Sequence, residues 1–214
     1  MKLICFDVDG TLIDLKTNAW FILNREYNFQ IQDDILFKEY RKGNITYQEW
    51  VNQDFEHYIQ MGLNKENLKN LFNEHKTFPG AHETLKILKE RHIISVLSGS
   101  IDFLLSIHAL DSFFEQVLIN RVIFDGERIV KVEATPYDIE GKIEGMKYLL
   151  QLTHKSIEDF VYVGDGDNDI PLSRFIKKNG GTFIAFNSRS NELRDNARYV
   201  VDSRDMRDVL PYII

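Results

Sequence analysis

An α/β fold, built on a mainly parallel sheet with helices on both faces and broken once by a helical insertion, is what this sequence of 214 residues predicts. Three observations lead there. Short apolar runs of strand length alternate with amphipathic stretches of helical spacing, the pattern of βαβ units. Two of those runs end in clusters of Asp and Gly: Leu3-Ile4-Cys5-Phe6 leads into Asp7-Val8-Asp9-Gly10-Thr11, and Phe160-Val161-Tyr162-Val163 into Gly164-Asp165-Gly166-Asp167-Asn168-Asp169. The alternation fails from about Leu15 to Thr77, where helical patterns follow one another with no strand between them.

Lys2–Phe6 reads as the first buried strand. The insertion then holds Ala19–Leu23, Ile35–Phe37, Trp50-Val51 with Phe55 and Tyr58-Ile59, and finally Leu68, Leu71 and Phe72, all at helical spacing. Lys42-Gly43-Asn44 and Met61-Gly62 are turn-like breaks, and Asn44 or Thr46 can start the helix through Trp50. Phe78-Pro79-Gly80 marks the return to the core. Residues 1–14 and 78–214 are thus expected to form one core, and residues 15–77 a small helical cap. The cap's aromatics are most simply its own core, and some could also form a lid. Beyond the cap, Leu85 and Leu88 place a helix over Glu83–Glu90, and Ile143, Met146, Leu149, Leu150 and Leu152 place another over Lys142–Leu152. Ile93–Leu97, Gln116–Asn120, Phe160–Val163, Thr182–Phe186 and Tyr199–Val201 read as further buried strands, and Asp125-Gly126 centres a hairpin over Val122–Val130. Ligands of such sheets bind at the carboxyl ends of strands, where strand order reverses, and both acidic clusters are expected at that edge.

Composition narrows the class. Hydrophobic residues make up 43% and charged residues 28%, ordinary for a globular protein with a sizeable core. A formal net charge of −7 with no basic stripe argues against a nucleic-acid or anionic-membrane binder. Cys5 is alone and sits in an apolar run, so it reads as a buried structural thiol without a disulfide partner. The first strand begins without a signal-peptide pattern, and no apolar stretch reaches the roughly 20 residues a membrane span needs. A cytoplasmic enzyme with no implied protein partner is the expectation.

Carboxylates converging from two strand ends need a cation between them. At an effective dielectric near 20, two such charges ~4 Å apart repel by roughly 4 kcal/mol. A divalent ion converts that repulsion into a site, and oxygen-only donors favour Mg²⁺. Taken alone, Asp7–Thr11 could be a strand followed by an Asp-Gly turn, and Gly164–Asn168 a solvated acidic loop. A calcium-loop reading of Asp165, Asp167 and Asp169 fails, because the sharp-turn Gly is Ile170 and the twelfth-position Glu is Ile176. Two further features suit phosphate. Ser98-Gly99-Ser100, after Ile94–Leu97, offers hydroxyls and unobstructed N–H groups at a strand terminus and possible helix start, and Lys142 opens the second helix with an ammonium. Each is weak in isolation, a turn or a surface lysine.

The order of these features resembles the haloacid dehalogenase superfamily of phosphohydrolases: an Asp-x-Asp-x-Thr loop, a strand-end Ser or Thr, a Lys, and a Gly-Asp-x-x-x-Asp loop. The resemblance implies a Rossmann-like parallel sheet with a small cap of the type inserted after the first motif. It implies Asp7 as nucleophile, transiently phosphorylated, and Asp9 as the acid and base. It also implies Mg²⁺ on the Asp7 and Asp165 side chains and the Asp9 carbonyl, and a phosphoryl group held by Ser98, Lys142 and the Gly99 N–H. Asp169 would support the metal or Lys142, Asn168 could contact phosphate, and Asp167, at a variable position, would be solvated. Within the superfamily, Ser98-Gly99, Phe113-Phe114-Glu115, Leu118–Arg121 and Lys42-Gly43-x-Ile45-Thr46-Tyr47 resemble phosphoserine phosphatase.

The chain departs from that family where substrate is recognised. The family's ammonium-binding Glu, nine positions after the nucleophile, is replaced by Lys16, and its carboxylate-binding cap Arg falls at about Asp54. Both charges are reversed, which opposes a serine zwitterion in the same pose. The expectation is a phosphatase acting on a different small phosphorylated metabolite. A one-turn slip of alignment would instead leave Lys16 and Asp54 as surface charges and permit phosphoserine itself. A phosphotransferase or phosphomutase on the same frame stays open, as does an inert binding protein. A receiver-like signalling module fits less well, since its metal-binding acidic pair follows the first strand and its acceptor lies on a later one.

Overall fold

The computed structural model describes Met1–Ile214. Seven strands form one sheet in the order β4-β3-β2-β1-β5-β6-β7: β1 Leu3–Phe6, β2 Ile93–Ile101, β3 Gln116–Asp125, β4 Arg128–Glu133, β5 Phe160–Gly164, β6 Thr182–Phe186 and β7 Tyr199–Val201. All pairings are parallel except β3 with β4, the hairpin around Asp125-Gly126. The helices are α1 Ala19–Glu26, α2 Gln30–Arg41, α3 Tyr47–Gln60, α4 Lys65–Phe72, α5 Ala81–Lys89, α6 Phe103–Ile107, α7 Lys142–Thr153, α8 Ile170–Asn179 and α9 Asn191–Asn196.

β1 shows why the sheet is covered on both faces. Its four residues are all buried and alternate in direction. Ile4 and Phe6 join the apolar cluster that contains Leu85 and Leu88 of α5, while Leu3 and Cys5 join the cluster of Met146, Leu149, Leu172 and Leu193 from α7, α8 and α9. Cys5 is a buried free thiol, as its apolar run implied. No helix is long and apolar enough to cross a membrane.

Strand order turns at the centre. β1 pairs with β2 on one side and β5 on the other, with Phe6 level with Val96 and with Val163. The residues that follow, Asp7 after β1, Leu97-Ser98 within β2 and Gly164-Asp165 at the end of β5, therefore lie side by side at the carboxyl edge of the central strands. This is the crevice at which open α/β sheets bind ligands.

Two expectations are corrected here. Ser98-Gly99-Ser100 is not the end of its strand: β2 continues to Ile101, with a register shift against β3 between Leu97 and Ile101. The tract is thus a bulged strand segment ahead of α6. The aromatics of α1–α4 do not form a separate core either. Phe29, Phe55, Tyr58 and Phe72 belong to one cluster continuous with Ile4, Phe6 and Val163 of the sheet. The reason is location: α3 packs on β4, and Lys65 N donates to the carbonyl of Glu127 in the hairpin turn at 2.9 Å.

Candidate active site

β1 ends at Phe6, and the Asp7 N–H still bonds the Val163 carbonyl of β5 at 2.9 Å, so the loop leaves the sheet in register. The chain then curls, with the amides of Leu12 and Ile13 both donating to the carbonyl of Val8. Gly10 makes the curl possible: its φ is +73°, and a Cβ there would collide with Asp165 Oδ2. The two acidic loops are packed this closely. Thr11 Oγ1 donates to Asp165 Oδ1 at 2.8 Å, a second tie between them.

Asp7, Asp9 and Asp165 line one cavity of about 760 Å³, together with Ser98, Gly99, Ser100, Asn168, Lys16 and Asp54. A space of that size suits a small molecule. Asp9 accepts from the Ala19 N–H at 2.7 Å through Oδ2 and from Ser100 Oγ at 2.7 Å through Oδ1. Burial nevertheless pushes its carboxyl up to about 7, against the pull of those two donors. It can therefore hold or release a proton near neutrality.

Lys142 is wholly buried and does not line the cavity. It stands behind the nucleophile candidate, with Nζ 2.6 Å from Asp169 Oδ1, 3.0 Å from the Tyr162 hydroxyl, 3.5 Å from Asp7 Oδ2 and 3.9 Å from Asp138 Oδ1. Burial alone would lower its pKa, but the carboxylates of Asp169, Asp7 and Asp138 outweigh it and hold the ammonium charged. Asp169 is buried and pairs with Lys142 and Tyr162, while Asn168 Nδ2 donates to Asp138 Oδ1 at 3.0 Å. Asp167 is exposed at the cavity edge. Gly99 lies against Asp138, which a Cβ would strike, and its carbonyl accepts from Trp20 Nε1, Tyr47 Oη and Asn120 Nδ2.

The donor set fits a divalent cation. Asp7 Oδ1 is buried with no donor, and burial and then the charge of Asp7 push the Asp165 carboxyl well up. Three carboxyls, Asp7, Asp138 and Asp169, lie within 3.9 Å of the single ammonium of Lys142, and Asp9 and Asp165 add two more beside Asp7, which leaves the site short of positive charge. No three His, Cys, Asp or Glu side chains converge on one metal-binding point.

On the cap side, Lys16 is exposed on the linker after the Asp7–Thr11 loop, whereas Asp54 is buried on α3. Both reach the cavity. Sequence reasoning missed Asp138, Tyr162, Tyr47 and Asp33. Tyr162 reads only as an apolar strand residue until its hydroxyl is seen beside Lys142 and Asp169. Asp138 lies in a loop with no motif around it.

The chain is similar to known proteins along most of its length. The model of the haloacid dehalogenase-like hydrolase family matches residues 1–174. The chain is 28% identical over 214 residues to a phosphoserine phosphatase of Methanocaldococcus jannaschii, covering 99% of this chain and 97% of that protein. It is 26% identical over 197 residues to the pyridoxal phosphate phosphatase PHOSPHO2 of Rattus norvegicus, covering 83% of this chain and 79% of the relative. A solved phospho-aspartyl intermediate analogue of phosphoserine phosphatase superposes with a TM-score of 0.70 at 27% identity, over 100% of this chain and 99% of that one. With its sheet order, its paired acidic loops and a family match over most of its length, the chain belongs to the haloacid dehalogenase-like hydrolases, as a phosphoserine phosphatase-like phosphatase.

Proposed function

We propose that the chain is a Mg²⁺-dependent phosphomonoester hydrolase that works through an aspartyl-phosphate on a small phosphorylated metabolite other than phosphoserine. The observation that carries this reading is the meeting of Asp7, Asp9 and Asp165 at one cavity. Mg²⁺, held by the side chains of Asp7 and Asp165 and the carbonyl of Asp9, would supply positive charge to the phosphoryl oxygens. An Asp7 oxygen attacks phosphorus as the bond to the leaving oxygen breaks, and protonated Asp9 gives its proton to that oxygen. Asp9, now a carboxylate, takes a proton from water as the water oxygen attacks phosphorus. Inorganic phosphate leaves, and Asp7 and protonated Asp9 are restored. Lys142, fixed 3.5 Å behind Asp7, offsets the negative charge that two anions bring together, and Ser98 and Gly99 serve the phosphoryl group from the cavity wall.

The substrate reading rests on the cap. Lys16 and the buried Asp54 stand where the phosphoserine enzymes are expected to carry opposite charges, and both line the cavity. The relatives' own names, one a phosphoserine and one a pyridoxal phosphate phosphatase, support small phosphomonoesters as the class. The test is phosphate release from a panel that includes phosphoserine, with and without Mg²⁺. Release should require Mg²⁺, and Asp7→Asn should lower it by about a thousandfold or more. A large preference for phosphoserine would reject the substrate reading. Transfer to a second metabolite without phosphate release would reject hydrolysis.

A further inference from the structure

We infer that the cap end of the cavity selects phosphomonoesters whose leaving group carries a nitrogen cation, which Asp33 and Asp54 bind together beside the aromatic rings of Trp50 and Phe37. The inference rests on the phosphatase reading and names its substrate class. Asp54 is 2% exposed, lines the cavity, and its buried Oδ1 receives no donor from the protein. Its polar neighbour is another acid, Asp33 of α2, within hydrogen-bonding reach. Asp33 Oδ1 is fixed by Trp50 Nε1 at 2.7 Å, so the pair is built from two helices and held by a third group. Two carboxyls in contact share a proton unless a cation joins them. No cation of the chain does. Arg41, which also lines the cavity, is held at 2.6 Å by Glu140 of the core, and Lys16 sits exposed on the linker with no ion pair to either acid.

The surroundings suit a cation independently of charge. Trp20, Phe21, Phe37 and Trp50 all line the space, and the rings of Phe37 and Trp50 meet at a tilt of 50° with centroids 5.4 Å apart. Aromatic faces attract ammonium groups, more so out of water. A carboxylate tail would instead meet two acids at a desolvated site, a repulsive element that sets specificity. The cavity thus separates its tasks: the anion of the substrate lies with Ser98 and Gly99, and its cation with the cap.

The test compares kcat/KM for phosphate release, at saturating Mg²⁺, across ω-aminoalkyl, alkyl and ω-carboxyalkyl phosphates of matched chain lengths. At the best-fitting length the amino series should exceed the alkyl series by about tenfold or more, carried in KM, with the carboxy series lowest. Asp54→Asn and Asp33→Asn should each bring the amino-to-alkyl ratio towards one, and Glu56→Gln, exposed on the same helix, should keep it. Should Asp54→Asn fail to fold, Asp33→Asn gives the same reading. Equal rates, a preference for neutral or anionic tails, or a preference that survives in both Asn variants would overturn the inference and leave the phosphatase reading standing. Release from no member of the panel would overturn both.

Discussion

Asp54 is a carboxyl buried against a carboxyl, and its titration follows from that. Burial first, and then the neighbouring charge of Asp33, push it up to about 9. In the unfolded chain an Asp ionises near pH 4. The native state therefore keeps a proton that the unfolded state has lost, and its stability falls as pH rises through that window. The advantage is complete below about pH 4 and gone above about pH 9. Asp54→Asn preserves the shape and cannot ionise, so its stability should gain on the native chain as pH rises from 5 to 9, by roughly 5 kcal/mol across that range. Urea melts at pH 5, 7 and 9 measure this, and a difference that stays constant with pH would mean that Asp54 is not the group that titrates.

Among the elements, α3 links local sequence to the site most directly. Thr46 accepts from the Glu49 N–H while Glu49 reaches back to the Thr46 N–H, a complete capping box. The first turn of α3 then places Tyr47, whose hydroxyl donates to the Gly99 carbonyl at 3.1 Å, and the next turns bring Val51 and Asp54 to the cavity. Thr46→Ala should cost about 1 kcal/mol in a thermal or urea melt and should raise KM more than it lowers kcat, because the frayed turn carries substrate contacts and not the nucleophile. An unchanged KM with the expected loss of stability would separate the cap of this helix from the cavity. Such local signals are what made elements legible. Thr46 could be named as a helix start because its partner is three residues away, and Thr182–Phe186 and Tyr199–Val201 show as strands because each is one apolar run between turn residues. The extension of β2 through Ser98–Ile101 depends on a bulged pairing with β3, a partner distant in sequence. α8 was hidden by Pro171 after a Gly- and Asp-rich loop, which reads as punctuation but fits a helix's first turn.

Across the whole molecule, the site was legible as an order of motifs and illegible as a network. Lys142 on its own reads as a surface residue, and only the acidic loops before and after it marked it; that it lies behind Asp7, joined to Asp169 and Tyr162, is a product of three strands and a helix meeting. The same meeting gathers five carboxyls at one site, three of them around the one ammonium, and folding must hold them there. A cation that binds this cluster binds only the folded chain, since in the unfolded state Asp7 and Asp165 are separated by most of the sequence. Linkage then requires that it stabilise the fold, by about 2.7 kcal/mol at a hundred times its dissociation constant. For a chain of 214 residues this corresponds to a rise in Tm of roughly 5–10 °C. Titration with MgCl₂ at constant ionic strength, followed by differential scanning calorimetry without substrate, should show that rise, and EDTA should reverse it. Asp165→Asn should abolish the Mg²⁺ response while raising the metal-free Tm, because it removes one of the repelling charges. A Tm insensitive to Mg²⁺ in the native chain, or an equal response in Asp165→Asn, would place the ion elsewhere and detach the two acidic loops from the role assigned to them.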